Sequence, residues 1–416
     1  MGKIKIGILG ARRGLSFLRQ VKQNEELGFD VVAICDNAAF RLKGEINDYD
    51  VKLYDDFDEM LKSDIECVLL ANYFHQHTPF AIKALKANKH VLSEVTSAST
   101  MKECVDLCEA VEASDKIYML AENYAFTKIG LEMKKQYESN KIGEAIYGEG
   151  EYIHPINVEV FNQISIGKNH WRNWVPSTYY CTHALAPLMY FTNTYPISVN
   201  ALSIVKDELL KGTAKQCDPS SVILCRMNND AVFRLYGWNS PGHSIWYRVH
   251  GTKGSFEAPR QYDGGYFGNG MLHISVDKWN LKDGENEITG LIPDWPEKYK
   301  NAGSAGHGGG DYIVMSLFKE AIINNKVPEF FDVYKGVAMS AVGILAWKSA
   351  LDNGAPYEVP DFRDKKAREK YKDDDISPFP DATDKPRIQP SLRNNVKHTK
   401  EDYDNAQKIW DEEISK

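Results

Sequence analysis

Glycines 7, 10 and 14 lie in the stretch Gly-Ile-Leu-Gly-Ala-Arg-Arg-Gly, which follows a β-branched run and opens an amphipathic one. Gly10 permits a tight strand-to-helix turn, and Gly14 permits close approach of a helix to a strand or a phosphate. The backbone N–H groups at such a helix start face an anion. Arg12 stands where the second glycine of G-x-G-x-x-G would fall, so the fingerprint is incomplete. Asp36 ends the next apolar run, at the distance where a carboxylate accepts both ribose hydroxyls. Gly10, Arg12, Arg13, Gly14 and Asp36 therefore read as a dinucleotide site. A carboxylate there disfavours a 2′-phosphate and favours NAD over NADP, although an arginine at 12 or 13 could offset the repulsion. Further polar residues follow later apolar runs: Asn72, His75 and His77, then Glu94 and Thr96, then Glu122 and Asn123. The carboxyl ends of strands are where open α/β sheets bind ligands. A histidine just before a helix can also be a plain surface residue, which is the default for His75.

The elements that must position these residues alternate through the first part of the chain. Strands are expected at 3–9, 29–35, 67–71, 90–94 and 117–121, and helices at 15–23, 57–61, 79–87 and 101–113. Continuous apolar strands alternating with helices predict a doubly wound parallel sheet covered on both faces. After about residue 125 the pattern changes. A helix at 128–139 precedes longer, alternating strands at 145–153, 197–204, 221–227, 231–236, 245–250 and 272–276, which predict an open, mostly antiparallel sheet. Helices follow at 312–324 and 333–351. Beyond Pro360 the chain is polar and proline-rich and reads as an extended arm. The expected division is a nucleotide-binding domain at 1–124, a substrate domain at 125–360 and the arm at 361–416. The fold class is α/β, with an N-terminal Rossmann sheet and a C-terminal α+β domain.

Composition narrows the function. With 416 residues, 43% of them hydrophobic and 26% charged, the chain has ordinary globular values. A net charge of −8 with no Lys/Arg cluster argues against nucleic acid as a partner. No run of about 18 apolar residues suggests a membrane span, and the first residues lack the apolar core of a secretory signal. Seven cysteines, mostly in apolar runs, suggest reduced thiols in a cytoplasm. Cys104 and Cys108 lack a second pair to complete a zinc pattern, and no metal site is expected.

The chain resembles the Gfo/Idh/MocA oxidoreductases over residues 1 to about 360. The resemblance rests on the nucleotide turn, Asp36, the stretch Ala71–Leu85, Glu94, AENYAF at 121–126, GTKGSFE at 251–257 and GHGGGDY at 306–312. It implies a Rossmann domain followed by an open sheet that carries substrate and often an oligomer contact. Typical members have Glu-Lys-Pro where this chain has Glu94-Val95-Thr96. The catalytic lysine is absent, which argues against ordinary alcohol dehydrogenation.

GEGEYIHP at 148–155, HWRNW at 170–174 and STYYCTHALAP at 177–187 are together similar to glycoside hydrolase family 109 and related NAD-dependent glycosidases. That resemblance implies oxidation of a sugar at C3, elimination across C2 and C1, addition of water and return of the hydride. It implies His183 at the 3-OH, since an imidazole titrates near neutrality. It implies Tyr180 or Tyr152 as the base at C2. A phenol ordinarily ionises near 10, so such a base needs a positive neighbour, for which Arg172 is the candidate. Glu122, His154, Tyr179, His307 and Asp311 are implied substrate contacts, while Asn72, His77, Glu94, Glu122 and Asn123 are implied cofactor contacts. A small sugar or glycoside is then the partner, and a homo-oligomer is expected. The competing readings are a conventional sugar dehydrogenase and a non-catalytic NAD- or sugar-binding regulator.

Overall fold

The computed structural model describes residues 2–37, 46, 49–165, 169–261, 265–267, 270–380, 385–392 and 398–415. Parts of the stretches at 157–168 and 259–270 lie outside the described residues. The chain forms two compact units that are not sequential. One comprises residues 1–123, 295–340 and 362–374, and the other comprises 124–294, 341–361 and 375–416.

The first unit is built on β1 (Ile4–Leu9), α1 (Ala11–Gln23), β2 (Phe29–Cys35), β3 (Lys52–Tyr54), α2 (Phe57–Leu61), β4 (Cys67–Leu70), α3 (His77–Lys86), β5 (His90–Ser93), α4 (Met101–Glu112) and β6 (Tyr118–Leu120). The sheet order is β3-β2-β1-β4-β5-β6, with every pair parallel. The strand order reverses direction between β1 and β4, the place where doubly wound sheets bind nucleotides. Strands β4 and β6 are buried throughout, as sheets covered on both faces require. Helix α1 turns Leu15, Phe17, Leu18 and Val21 into the core. The expected helix began at Leu15. It starts at Ala11, directly after the non-helical Gly10, so residues 11–14 of the glycine-rich stretch already belong to the helix.

The second unit contains α5 (Lys128–Glu138), β7 (Ala145–Ile153), α6 (Val158–Ile164), α7 (Trp171–Trp174), α8 (Thr182–Thr192), β8 (Pro196–Ile204), β9 (Ser220–Met227), β10 (Val232–Trp238), β11 (Ser244–Gly251), β12 (Gly254–Glu257), β13 (Leu272–Val276) and β14 (Ile288–Leu291). After α9 (Gly310–Asn324), which belongs to the first unit, and α10 (Val333–Leu351) come β15 (Tyr357–Glu358), α11 (Lys365–Glu369) and α12 (Lys400–Ser415). The nine strands run in the order β14-β13-β12-β11-β7-β10-β9-β8-β15. All pairs are antiparallel except β10 with β7.

The position of α8 follows from a glycine on β7. A Cβ at Gly150 would lie 2.1 Å from the Ala184 carbonyl oxygen, so its absence lets the helix sit directly on the strand. On the same face a Cβ at Gly148 would lie 2.7 Å from the ring of Phe233 on the neighbouring β10. Residues two apart on a strand share a face, so Tyr152 points to the same side as Gly150 and meets α8.

Candidate active site

In the nucleotide-binding unit, Gly10 has φ 93°, a region favourable only to glycine. A Cβ there would stand 2.4 Å from the Ala71 carbonyl carbon and oxygen and 2.5 Å from Asn72 N. The ends of β1 and β4 approach each other this closely only without a side chain. At Gly14 a Cβ would be 2.4 Å from Ile8 Cγ2, so this glycine seats α1 on β1. The Ala11 N–H donates to Asp36 Oδ2 at 2.8 Å, which fixes the carboxylate beside the helix start.

The two arginines diverge. Arg12 is exposed. Arg13 reaches back to Glu94 (Nε to Oε1, 2.7 Å) and to Asp311 (Nη2 to Oδ1, 2.8 Å). Asp311 also accepts from Asn123 Nδ2 at 2.7 Å and faces His307 Nδ1 at 3.0 Å. Burial opposes ionisation of Asp311, but the His307 ring and the Arg13 guanidinium outweigh it and hold the carboxyl well below the usual carboxylate range. Burial likewise opposes the Arg13 charge, and Glu94 and Asp311 reverse the effect and raise it. Arg13, Glu94, Asn123, His307 and Asp311 thus form one network within this unit. With its side chain 3% exposed, Asp311 is a support for Arg13 and Asn123.

His77 has a similar bracing part. Its Nδ1 lies 2.8 Å from the Thr96 carbonyl and its Nε2 3.3 Å from that of Asn72, linking the loops after β5 and β4. Burial lowers its basicity, so the neutral ring donates through one nitrogen at a time. Ser340 closes the loop after β5, accepting from the N–H groups of Ser97 at 3.0 Å and Ala98 at 3.3 Å. Both amide atoms of Asn72 are buried with no hydrogen-bond partner among the described residues, as is Asn123 Oδ1. Glu122 is completely buried. Orphaned amides beside a glycine turn and an anchored acid fit a nucleotide. Gly10, Gly14, Asp36 and Asn72 are the residues that would hold it.

In the second unit, His183 on α8 is ringed by tyrosines. Its ring centroid lies 4.3 Å from that of Tyr124, 4.7 Å from Tyr152 and 6.4 Å from Tyr180. The Tyr247 hydroxyl donates to the His183 carbonyl and fixes the backbone. The Tyr180 hydroxyl accepts from Arg172 Nη1 at 3.2 Å, and its ring stacks on Trp238 at 4.2 Å with 7° between the planes. His154 lies at the rim, 5.9 Å from Tyr152 and 5.8 Å from His243. His183, Tyr152, Tyr180, Arg172 and His154, singled out in the sequence, therefore come together. Tyr179 does not join them. Its ring packs edge-on against Trp347 and Phe379 in the core and is 2% exposed, because the 3₁₀ turn at 177–181 points adjacent side chains apart. His307 and Asp311, also read as substrate contacts, lie in the other unit's arginine network.

Tyr124 and Trp238 escaped the sequence reading. Tyr124 sits inside AENYAF, a stretch whose acid and amide drew the attention, and Trp238 ends an otherwise ordinary strand. Lys215 was also missed. It is 1% exposed, and its ammonium lies 4.1 Å from the Trp238 ring centroid and 5.6 Å from that of Phe161. Burial lowers its basicity.

Among the described residues no group of three His, Cys, Asp or Glu could hold a metal ion, and no helix is long and apolar enough to cross a membrane. Residues 4–122 match the oxidoreductase family NAD-binding Rossmann fold (GFO_IDH_MocA), and residues 205–371 match the glycosyl hydrolase 109 C-terminal domain.

The nucleotide-binding segment is similar to the Gfo/Idh/MocA oxidoreductases.

The chain's curated relatives include proteins of glycosyl hydrolase family 109. The family 109 protein 2 of Shewanella sp. (strain MR-4) is 25% identical over 404 residues, with 87% of this chain and 86% of the relative covered. An alpha-N-acetylgalactosaminidase of Tannerella forsythia is 26% identical over 402 residues, with 80% and 81% covered. Levoglucosan dehydrogenase, solved with NADH and levoglucosan, shares the fold at a TM-score of 0.71 and 17% identity, with 86% of this chain and 100% of that chain covered. The myo-inositol 2-dehydrogenase from Lactobacillus plantarum shares it at 0.67 and 17%, with 86% and 99% covered. The protein is an NAD-dependent enzyme.

Proposed function

We propose that the enzyme cleaves a glycoside without net oxidation, through transient oxidation of the sugar at C3. The observation that carries this reading is the pairing, in one cluster, of a histidine ringed by tyrosines with a tyrosine bonded to a guanidinium. A plain dehydrogenase handles one hydroxyl proton and needs one base. Elimination across C2 and C1 needs a second proton acceptor, and Tyr180 with Arg172 supplies the type.

When bound, NAD+ supplies a hydride acceptor and later a hydride donor, so none is consumed over a cycle. His183 takes the 3-OH proton as C3 becomes a ketone. The ketone acidifies the C2 proton, which Tyr180 accepts as phenolate while the C1–O bond breaks. Water then adds its hydroxyl at C1 while its other proton goes to the departed aglycone oxygen, Tyr180 returns its proton to C2, and His183 returns its proton to O3 as C3 is reduced again. Tyr152, packed on His183, limits its rotation. Arg172 stabilises the phenolate and orients the sugar. Asp36 excludes a 2′-phosphate, and Arg13, already bound to Glu94 and Asp311, does not offset it. The relative named an alpha-N-acetylgalactosaminidase makes aryl α-N-acetylgalactosaminides the first substrates to test.

Incubation in D2O without added cofactor should release the leaving group and place deuterium at C2. Accumulation of NADH from free sugar without cleavage would overturn this reading in favour of the plain dehydrogenase. Silence with both would favour a binding regulator.

Two further properties belong to the same proposal. The seven cysteines are buried and unbridged, which suits a reducing cytoplasm and is tested by fractionation. The outer face of the nine-stranded sheet bears exposed Leu202 and Leu224 beside the Arg234–Glu149 pair. That mixture suits a homo-oligomer contact, and light scattering tests it.

A further inference from the structure

Lys215 is a buried lysine that forms no ion pair with a carboxylate among the described residues. Its Nζ has no hydrogen-bond partner among the described residues. Its nearest acid in sequence, Asp218, is occupied elsewhere, accepting from Ser391 Oγ at 2.5 Å and the Leu392 N–H at 3.3 Å. The Lys215 carbonyl faces His398 Nε2, so the arm holds the backbone and leaves the side chain directed at aromatic faces. Trp238, 4.1 Å from the ammonium, is the ring on which Tyr180 stacks at 4.2 Å. Burying an ammonium is costly, and an apolar residue of the same length would fill the space at lower cost. Something is gained from the charge.

We infer that Lys215 is a positioning residue whose ammonium, held on the Trp238 face, supplies positive charge near Tyr180 and favours its deprotonated form. The inference rests on the proposed reading of Tyr180 as the base. Two cations then serve one phenol, Arg172 at the hydroxyl and Lys215 through the tryptophan. The other titratable groups facing Tyr180 are His183 on α8 and Tyr152 on β7, with His154, just past the end of that strand, packed on Tyr152. Those near Lys215 are Cys217, Asp218 and His398. The two spans to the Trp238 ring place the ammonium no farther than about 8 Å from the Tyr180 ring. A unit charge at that range shifts an ionisation by about one pH unit in a protein interior.

The test is a pH titration of the near-ultraviolet phenolate band. Tyr180 is isolated as the difference between the wild type and Tyr180→Phe, and the same difference is taken in a Lys215→Met background. The expected result is a midpoint about one unit higher without Lys215. Lys215→Gln takes the place of Lys215→Met should the latter not fold. An unmoved midpoint overturns the inference, as does a wild-type Tyr180 that does not ionise before the protein unfolds. No substrate is needed, so failure here is separable from failure of the glycosidase reading, which the D2O experiment judges. Where turnover is measured, the acid limb of kcat moves by the same interval.

Discussion

Replacing Asp311 by asparagine keeps the shape of the side chain and removes its charge. The carboxylate is 2.8 Å from Arg13, with side-chain exposures of 3% and 26%. Unit charges about 4 Å apart attract by about 4 kcal/mol at an effective dielectric near 20. Glu94 remains 2.7 Å from Arg13 and retains part of that attraction. The expected loss is about 3 kcal/mol, the low end for breaking a buried pair. In a unit of this size it lowers Tm by roughly 6–12 °C. Thermal and urea unfolding of the wild type, Asp311→Asn, Arg13→Met and the double variant measures both the loss and the coupling. The pH dependence adds a second readout. Asp311 is held below the usual carboxylate range, so its native form stays ionised after the unfolded one takes up a proton. Its contribution is complete above about pH 4 and fades as the pH falls further. The variant should lack that part of the acid slope. A loss under about 1 kcal/mol with additive effects in the cycle would refute the argument that charge holds this unit together.

Other perturbations separate the parts of the site. His183→Asn should lower turnover by about 100-fold or more and leave NAD affinity, measured by calorimetry, unchanged. Gly10→Ala meets Ala71 backbone at positive φ and should destabilise the fold or abolish NAD binding. Gly14→Ala meets only Ile8 Cγ2 and should cost about 1–3 kcal/mol in urea unfolding. Equal effects would show that the two glycines do not differ as described. Asp36→Ser should weaken NAD binding about tenfold, the worth of one charged hydrogen bond, and narrow the preference over NADP.

Long apolar runs made the parallel strands legible, as FDVVAIC and CVLL show. Strand β3 was missed because Lys52–Tyr54 is short and mostly half-exposed, with no apolar run to mark it. Helix α8 was missed for the opposite reason. It is buried on nearly every side and contains Pro187, so it shows no amphipathic period and carries a residue that ordinarily ends helices. His183 was nevertheless singled out, through the motif around it. The Tyr179–Tyr180 pair could not be split by sequence, since only the turn geometry sends one ring to Trp347 and the other to Trp238. Lys215 gave no sign, because an isolated lysine ordinarily reads as surface. The pairing of Arg13 with Asp311 spans 298 residues and has no local signature.

The same separation governs how the protein can be made and recombined. While the chain is still being synthesised, Arg13 and Asn123 leave the ribosome long before Asp311 exists to neutralise one and bind the other. The Rossmann sheet must wait for a helix translated after most of the second unit, and Lys215 waits longer still for His398. A fragment cut after residue 124 keeps the glycine turn and loses the carboxylate that steadies its arginine. An exchange of nucleotide-binding halves between relatives would therefore have to carry residues 295–340 along with the N-terminal segment, or arrive with a buried charge left unmatched.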